Sequence, residues 1–312
     1  MQYTVTELPY AVDPLSRLDS VRPLGHPVLL DSASSPGALS RYSILCAGPA
    51  LRIEPAGDEP GQRALDRVRQ ALAKLGAATW PPGMELPFGA GAVGYLAYDF
   101  ARQLERLPEH AAADVSVPAL GLGIYHWSIV SDHLRQRCWL VAHPSLCPST
   151  RATVLERLQD APQQTAPFEL TTAFTADQQQ GDYAQAFERI QQYIHAGDCY
   201  QINLAQRFRA RCKGDSLHAY ARLRTACPTP FAAYLEYDAG SVLCLSPERF
   251  LQVRDNVVET RPIKGTRPRG NSATQDRQLA AELQTSRKDR AENVMIVDLL
   301  RNDLGRTCSP GS

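Results

Sequence analysis

Lys264, in the run Arg261-Pro262-Ile263-Lys264-Gly265-Thr266, is the side chain of this 312-residue sequence best placed to act as a nucleophile. An ordinary lysine amine has a pKa of about 10.4, so about one molecule in a few thousand carries the free base at neutral pH. Desolvation, or cations such as Arg261 and Arg267, would free more of it. Pro262 is rigid, Ile263 is apolar, and Gly265 has no side chain to obstruct a ligand. A solvated lysine on a strand edge fits the same residues. Glu248, in Ser246-Pro247-Glu248-Arg249-Phe250, lies sixteen residues earlier. If two strands pair through a turn at Asp255-Asn256, carboxyl and amine converge on one sheet face as an acid/base beside a nucleophile. A structural ion pair of Glu248 with Arg249 or Lys264 is the alternative. Glu292, with Asp298 and Asp303 beyond it, offers carboxylates to a hard cation such as magnesium. The flanking Arg287, Lys288, Asp289 and Arg290 suit a salt-bridged, solvated helix face equally well.

These residues need elements to hold them. The second half opens with a helix that Asp182 can cap, with Phe187, Ile190 and Ile194 at helical spacing and Gly197 at its end. Residues 200–206 alternate in the manner of a strand. A helix over 216–226 stops before Pro228. Phe231 to Tyr237 and Ser241 to Val253 predict a hairpin through Asp238-Ala239-Gly240, and Val257 to Ile263 a third strand ending at Lys264. Helices over 274–283 and 286–304 follow, the second opened by Ser286 with Asp289 three residues on.

The first half reads as strands with one good helix, where Leu65, Val68, Leu72 and Leu75 share a face and Gly76 suits a left-handed end. Residues 89–95 are too glycine-rich for a helix and suit a strand closely approached by another backbone. Their Gly-x-Gly-x-x-Gly spacing follows Pro87 rather than a strand, which argues against a dinucleotide loop. A strand pair over 121–131 and 137–142, and a helix over 150–158, complete this half. The expected division is 1–145, a linker region over 146–180 with its most linker-like stretch at 161–172, and 181–312. Hairpins with helices grouped between them predict an α+β fold with antiparallel sheets packed face to face and helices outside.

Thirty-three basic and thirty-three acidic side chains balance, which leaves no net field for a polyanion and argues against a nucleic-acid partner. No apolar run approaches the ~18 residues of a membrane helix, and residues 1–7 lack the features of a signal peptide. The eight cysteines form no Cys-x-x-Cys pair and read as small apolar residues in a reducing compartment, the cytoplasm.

Taken in order, four runs resemble the chorismate-utilising enzymes, the family of anthranilate synthase, aminodeoxychorismate synthase and the isochorismate enzymes. They are Gly197-Asp198-Cys199-Tyr200-Gln201-Ile202-Asn203-Leu204, the Ser246 and Arg261 runs above, and Asp298-Leu299-Leu300-Arg301-Asn302-Asp303-Leu304-Gly305. Leu29-Leu30-Asp31-Ser32, Ser40-Arg41-Tyr42-Ser43 and Gly94-Tyr95-Leu96-Ala97-Tyr98-Asp99 extend the likeness over nearly the whole chain. Anthranilate synthases carry alanine at the position of Lys264, so the resemblance points to the aminodeoxychorismate branch. It implies attack by Lys264 on chorismate, Glu248 as general acid/base, Glu292 as a magnesium ligand, and Gly265 and Thr266 against the substrate.

The resemblance also implies a tryptophan-like pocket at Ser32, Leu39, Ser40, Arg41, Tyr42, Pro230, Phe231 and Ala232, which a packed core could fill instead. A separate glutamine amidotransferase subunit would supply ammonia. Family members continue for about 140 residues past the Asp298 run, a length on the scale of a domain. The expectation is therefore of a C-terminally shortened chain, not competent alone. An anthranilate synthase-like enzyme, or a fragment binding only tryptophan or a partner, is the alternative.

Overall fold

A computed structural model describes residues 1–312 except 56–58, 109–113, 116 and 161–164. The chain forms two compact units, each built from two stretches: 1–168 with 214–247, and 169–213 with 248–312.

A seven-stranded antiparallel sheet organises the first unit. Its strands run in the order Thr4–Leu8, Arg137–Ala142, Trp127–Asp132, Tyr42–Cys46, Val28–Asp31, Phe231–Tyr237 and Gly240–Ser246. Side chains alternate between its faces, as the strand period requires. Leu29, Leu45, Ile129, Leu140, Ala232 and Tyr234 pack with Leu18, Val154 and Leu217 from three helices, Leu15–Val21, Pro148–Arg157 and Ser216–Ala226. Val28, Cys46, Ala233 and Leu235 face the other way and pack with Val93 and Tyr125 of a three-stranded sheet. That sheet, ordered Leu51–Ile53, Leu120–Tyr125, Gly91–Leu96, carries the helix Gly61–Leu75 on Ile53, Leu120 and Ile124. The expected α+β arrangement with facing antiparallel sheets is the one found.

Several local expectations hold here. A Cβ on Gly94 would lie 1.9 Å from the Gly121 carbonyl oxygen, the close backbone approach read from the glycine run. Ser216–Ala226 starts where Asp215 accepts the Leu217 N–H and ends before Pro228. The expected strand over 121–131 is two strands, Leu120–Tyr125 and Trp127–Asp132, which join different sheets on either side of His126.

The second unit holds the helices Gln180–Ala196, Ala273–Thr285 and Arg287–Gly305. Gly197 closes the first of these in the left-handed conformation at φ 81°, and Ser286 caps the third by accepting the Asp289 N–H. Asp182 does not cap; Gln179 occupies that position. Two short strand pairs, Thr175–Ala176 with Phe208–Arg209 and Glu169–Leu170 with Cys212–Lys213, complete one part of it. The strand expected over 200–206 is absent, and Tyr200 is exposed. Alternation alone cannot supply the partner strand that a ladder needs.

Among the described residues no helix is long and apolar enough to cross a membrane.

Candidate functional site

The turn at Asp255-Asn256 forms as expected, with both residues at positive φ (51° and 61°), the requirement of a tight two-residue hairpin loop. It joins Gln252–Arg254 to Val257–Glu259. There the ladder stops, and residues 260–270 have no regular structure, so Lys264 stands in a loop and not at a strand end. The cause lies in the sequence: Pro262 has no N–H to donate to a ladder. The N–H of Ile263 is taken instead by the Glu248 carboxylate, Oε1 accepting at 2.9 Å.

That contact brings the Glu248 carboxyl to the residue before Lys264. Glu248 therefore braces the backbone immediately before Lys264, and its own side chain remains exposed.

Lys264, half-buried, lines a cavity of about 330 Å³. Pro262 and Ile263 contribute from the loop, Leu283 and Gln284 from one helix end, and Asp289, Arg290 and Asn293 from the first turns of Arg287–Gly305. No hydrogen bond or ion pair joins the Lys264 amine to any described residue. The neighbouring arginines differ: Arg261 binds Glu259 at 2.7 Å, and Arg267 binds Glu282 at 2.8 Å and Asp289 at 3.1 Å. Gly265 sits at φ 75°, where a Cβ would lie 2.8 Å from both Asp289 Cγ and Leu283 Cδ1, so the loop closes on the helix only with glycine here. Thr266 is exposed beside it.

Glu292 is half-buried on the same helix. Among the described residues no three His, Cys, Asp or Glu side chains converge as a metal site. One carboxylate does not enclose a magnesium ion, so the residues present do not form a complete site for it.

The second expected pocket falls in the first unit. Ser32 donates its hydroxyl to the Tyr42 carbonyl at 2.6 Å and its N–H to Ser43 Oγ at 3.2 Å. Ala33 N–H donates to the Thr229 carbonyl at 3.1 Å, which sets Pro230 beside this strand end, and Ala232 pairs with Asp31. Phe231 is half-buried in the same strand. Ser40 is buried and contacts the Ser34 hydroxyl. Arg41 is committed: its guanidinium grips Asp132 at 2.7 Å and lies over the Tyr42 ring at 4.6 Å. Burial pushes the Asp132 carboxyl up, but Arg41 and the N–H groups of Arg135 and Leu134 outweigh it and hold it below the ordinary range. Leu39 is exposed. The segment thus gathers most of the expected residues, with Arg41 turned to Asp132.

Beneath it runs a buried polar chain that the motifs did not disclose. Asp31, 3% exposed, accepts from Tyr220 Oη at 3.1 Å, Arg224 Nε at 2.7 Å and Ser43 Oγ at 3.1 Å. Ser43 has one hydroxyl hydrogen, which goes to Asp31. Its other neighbour, His133 Nε2 at 2.8 Å, must then donate, and His133 Nδ1 accepts from Tyr10 Oη at 2.9 Å. Burial pushes the His133 imidazole below its ordinary pKa, in keeping with a singly protonated ring. The only sequence signal was a polar Asp31 in an otherwise apolar strand, Val28–Asp31.

Residues 25–312 match the profile of the family described as chorismate binding enzyme. The chain is 42% identical over 296 residues to aminodeoxychorismate synthase component 1 of Klebsiella aerogenes, covering 91% of this chain and 64% of that protein. The protein of the same name from Escherichia coli K12 is 39% identical over 295 residues, with the same coverages. Anthranilate synthase component I from Streptococcus pneumoniae TIGR4 superimposes with a TM-score of 0.67 at 26% identity, covering 88% of this chain and 62% of that one. The chain thus spans somewhat under two thirds of the length of these relatives.

Proposed function

This chain belongs to the chorismate binding enzyme family, and on that premise we propose that it carries the amination site of an aminodeoxychorismate synthase. The observation that carries the reading is the Lys264 amine, which lines a cavity with no carboxylate partner among the described residues while Arg261 and Arg267 beside it are paired. A lysine tied in an ion pair would be a poor nucleophile; this one is free to react once deprotonated.

In the proposed reaction the free Lys264 amine forms a bond to C2 of chorismate. The ring double bonds shift, the C4–O bond breaks, and the hydroxyl leaves as water with a proton supplied by Glu248. Ammonia then bonds to C4, the double bonds shift back, and the C2–N bond to lysine breaks. The net change is exchange of the 4-hydroxyl for an amino group, with water released. Glu248 would relay the protons, and its grip on the Ile263 N–H would fix the backbone from which Lys264 extends. Gly265 and Thr266 would lie against the substrate. Glu292 is the side chain we assign toward magnesium, as one of the ligands such an ion needs.

We assign ammonia supply to a glutamine amidotransferase partner and place the reaction in the cytoplasm; all eight cysteines are free, as a reducing compartment keeps them. The Ser32–Tyr42 segment with Pro230, Phe231 and Ala232 is the place for a tryptophan-like effector.

Two measurements test the reading. In the protein at the full length of its relatives, incubation with chorismate should add the substrate-derived mass to the Lys264-containing peptide, and Lys264→Ala should abolish the addition. Product analysis with chorismate and ammonia should give 4-amino-4-deoxychorismate. Anthranilate with pyruvate in its place would show an anthranilate synthase.

A further inference from the structure

The cavity beside Lys264 has an unbalanced wall. Its charged lining residues are Lys264, Arg290 and Asp289. Asp289 is answered by Arg267 Nη2 at 3.1 Å, and the Ser286 hydroxyl with that guanidinium holds its carboxyl below the ordinary value. Arg269 is taken by Asp276 at 2.7 Å. The Arg290 side chain, by contrast, has no hydrogen bond or ion pair to any described residue. Arg290 and Asn293 are three apart on Arg287–Gly305 and so share one stripe of that helix, the stripe that lines the cavity.

A guanidinium presents its N–H donors in a planar fork that matches a carboxylate. An arginine that lines a cavity without a protein anion leaves that fork available to an incoming one. We propose that Arg290 binds a carboxylate of the substrate and so presents the substrate ring to Lys264. The ligand class is a small cyclic carboxylate: the carboxylate for Arg290, and a ring carbon within reach of the lysine. Chorismate as the particular ligand rests on the function proposed above; the carboxylate contact does not.

Calorimetric titration of the full chain with chorismate and, separately, with isophthalate tests this in wild type, Arg290→Ala and Arg290→Lys. Arg290→Ala should weaken both ligands by about tenfold or more, the worth of a charge-assisted hydrogen bond. Arg290→Lys should fall between, because it keeps the charge and loses the fork. Chorismate binding within twofold of wild type in both variants would overturn the role of Arg290 and leave the amination reading standing. Binding of isophthalate that depends on Arg290, without binding of chorismate, would support Arg290 and remove chorismate as the substrate. Failure of wild type to bind either ligand would overturn both. If Arg290→Ala does not melt cooperatively, the lysine variant decides, since it keeps the charge at an exposed position.

Discussion

Two polar groupings in this chain are built on opposite plans. Around Asp31 each polar atom is answered by another protein atom: Arg224, Tyr220 and Ser43 converge on one carboxylate, and His133 and Tyr10 continue the chain. Around Lys264 the answering is selective. Arg261, Arg267 and Arg269 are paired, while Lys264 and Arg290 face a cavity without a partner among the described residues. A buried polar group must be satisfied within the protein, because water cannot reach it. The Asp31 grouping is therefore a device for holding strands and helix in register. A cation left over at a cavity is held by no internal bond and is available to a ligand. Polarity by itself does not mark a reactive site; incomplete pairing does.

The comparison predicts different failures when each grouping is cut. Lys264→Ala should reduce the amination rate by about 10³-fold or more, as loss of a nucleophile does, with the melting temperature nearly unchanged. A comparable loss of stability would place Lys264 in the structural class. Asp31→Ala should do the reverse and destabilise by about 3–5 kcal/mol, because it takes from the Arg224 guanidinium its buried partner and leaves it only the exposed Asp13 at 3.3 Å. Denaturant unfolding reads this directly, and a loss under about 1 kcal/mol would mean that the chain does not hold the sheet.

Glu248→Gln separates the two roles of that side chain. The amide oxygen can still accept from Ile263, so the loop should keep its shape while proton relay is lost, and the rate should fall by about 10²-fold. A variant with wild-type turnover would confine Glu248 to bracing the loop. The smallest effect concerns pH. Burial depresses the folded-state pKa of His133, so the unfolded chain takes up a proton first as pH falls. Stability should therefore decline as pH drops through the unfolded value of about 6.5, and His133→Gln should flatten that slope. Chemical melts at several pH values check it; an unchanged slope would mean that His133 is not the group responsible.

What the sequence determined by itself was local. The stops of Ser216–Ala226 and Gln180–Ala196 and the Ser286 cap of Arg287–Gly305 were legible because the residues that end a helix lie within a few positions of the end they make. The Asp255-Asn256 turn and the close approach at Gly94 were legible for the same reason. The motif runs around Glu248, Lys264 and Asp298 were sufficient to point to the family whose profile covers 25–312.

Tertiary structure decided which distant groups meet. Asp31 binds Tyr220 and Arg224 across 189 and 193 residues, a contact that no periodicity encodes. The Phe231–Tyr237 strand joins Val28–Asp31 by a register that only a folded sheet specifies. Residues 200–206 alternate correctly and yet form no strand, because a ladder needs a second backbone. Lys264 was found from its neighbours in sequence. Its position in a loop, with Glu248 on the preceding N–H and a cavity beyond, followed from a proline that ended the ladder and a helix that closed against Gly265.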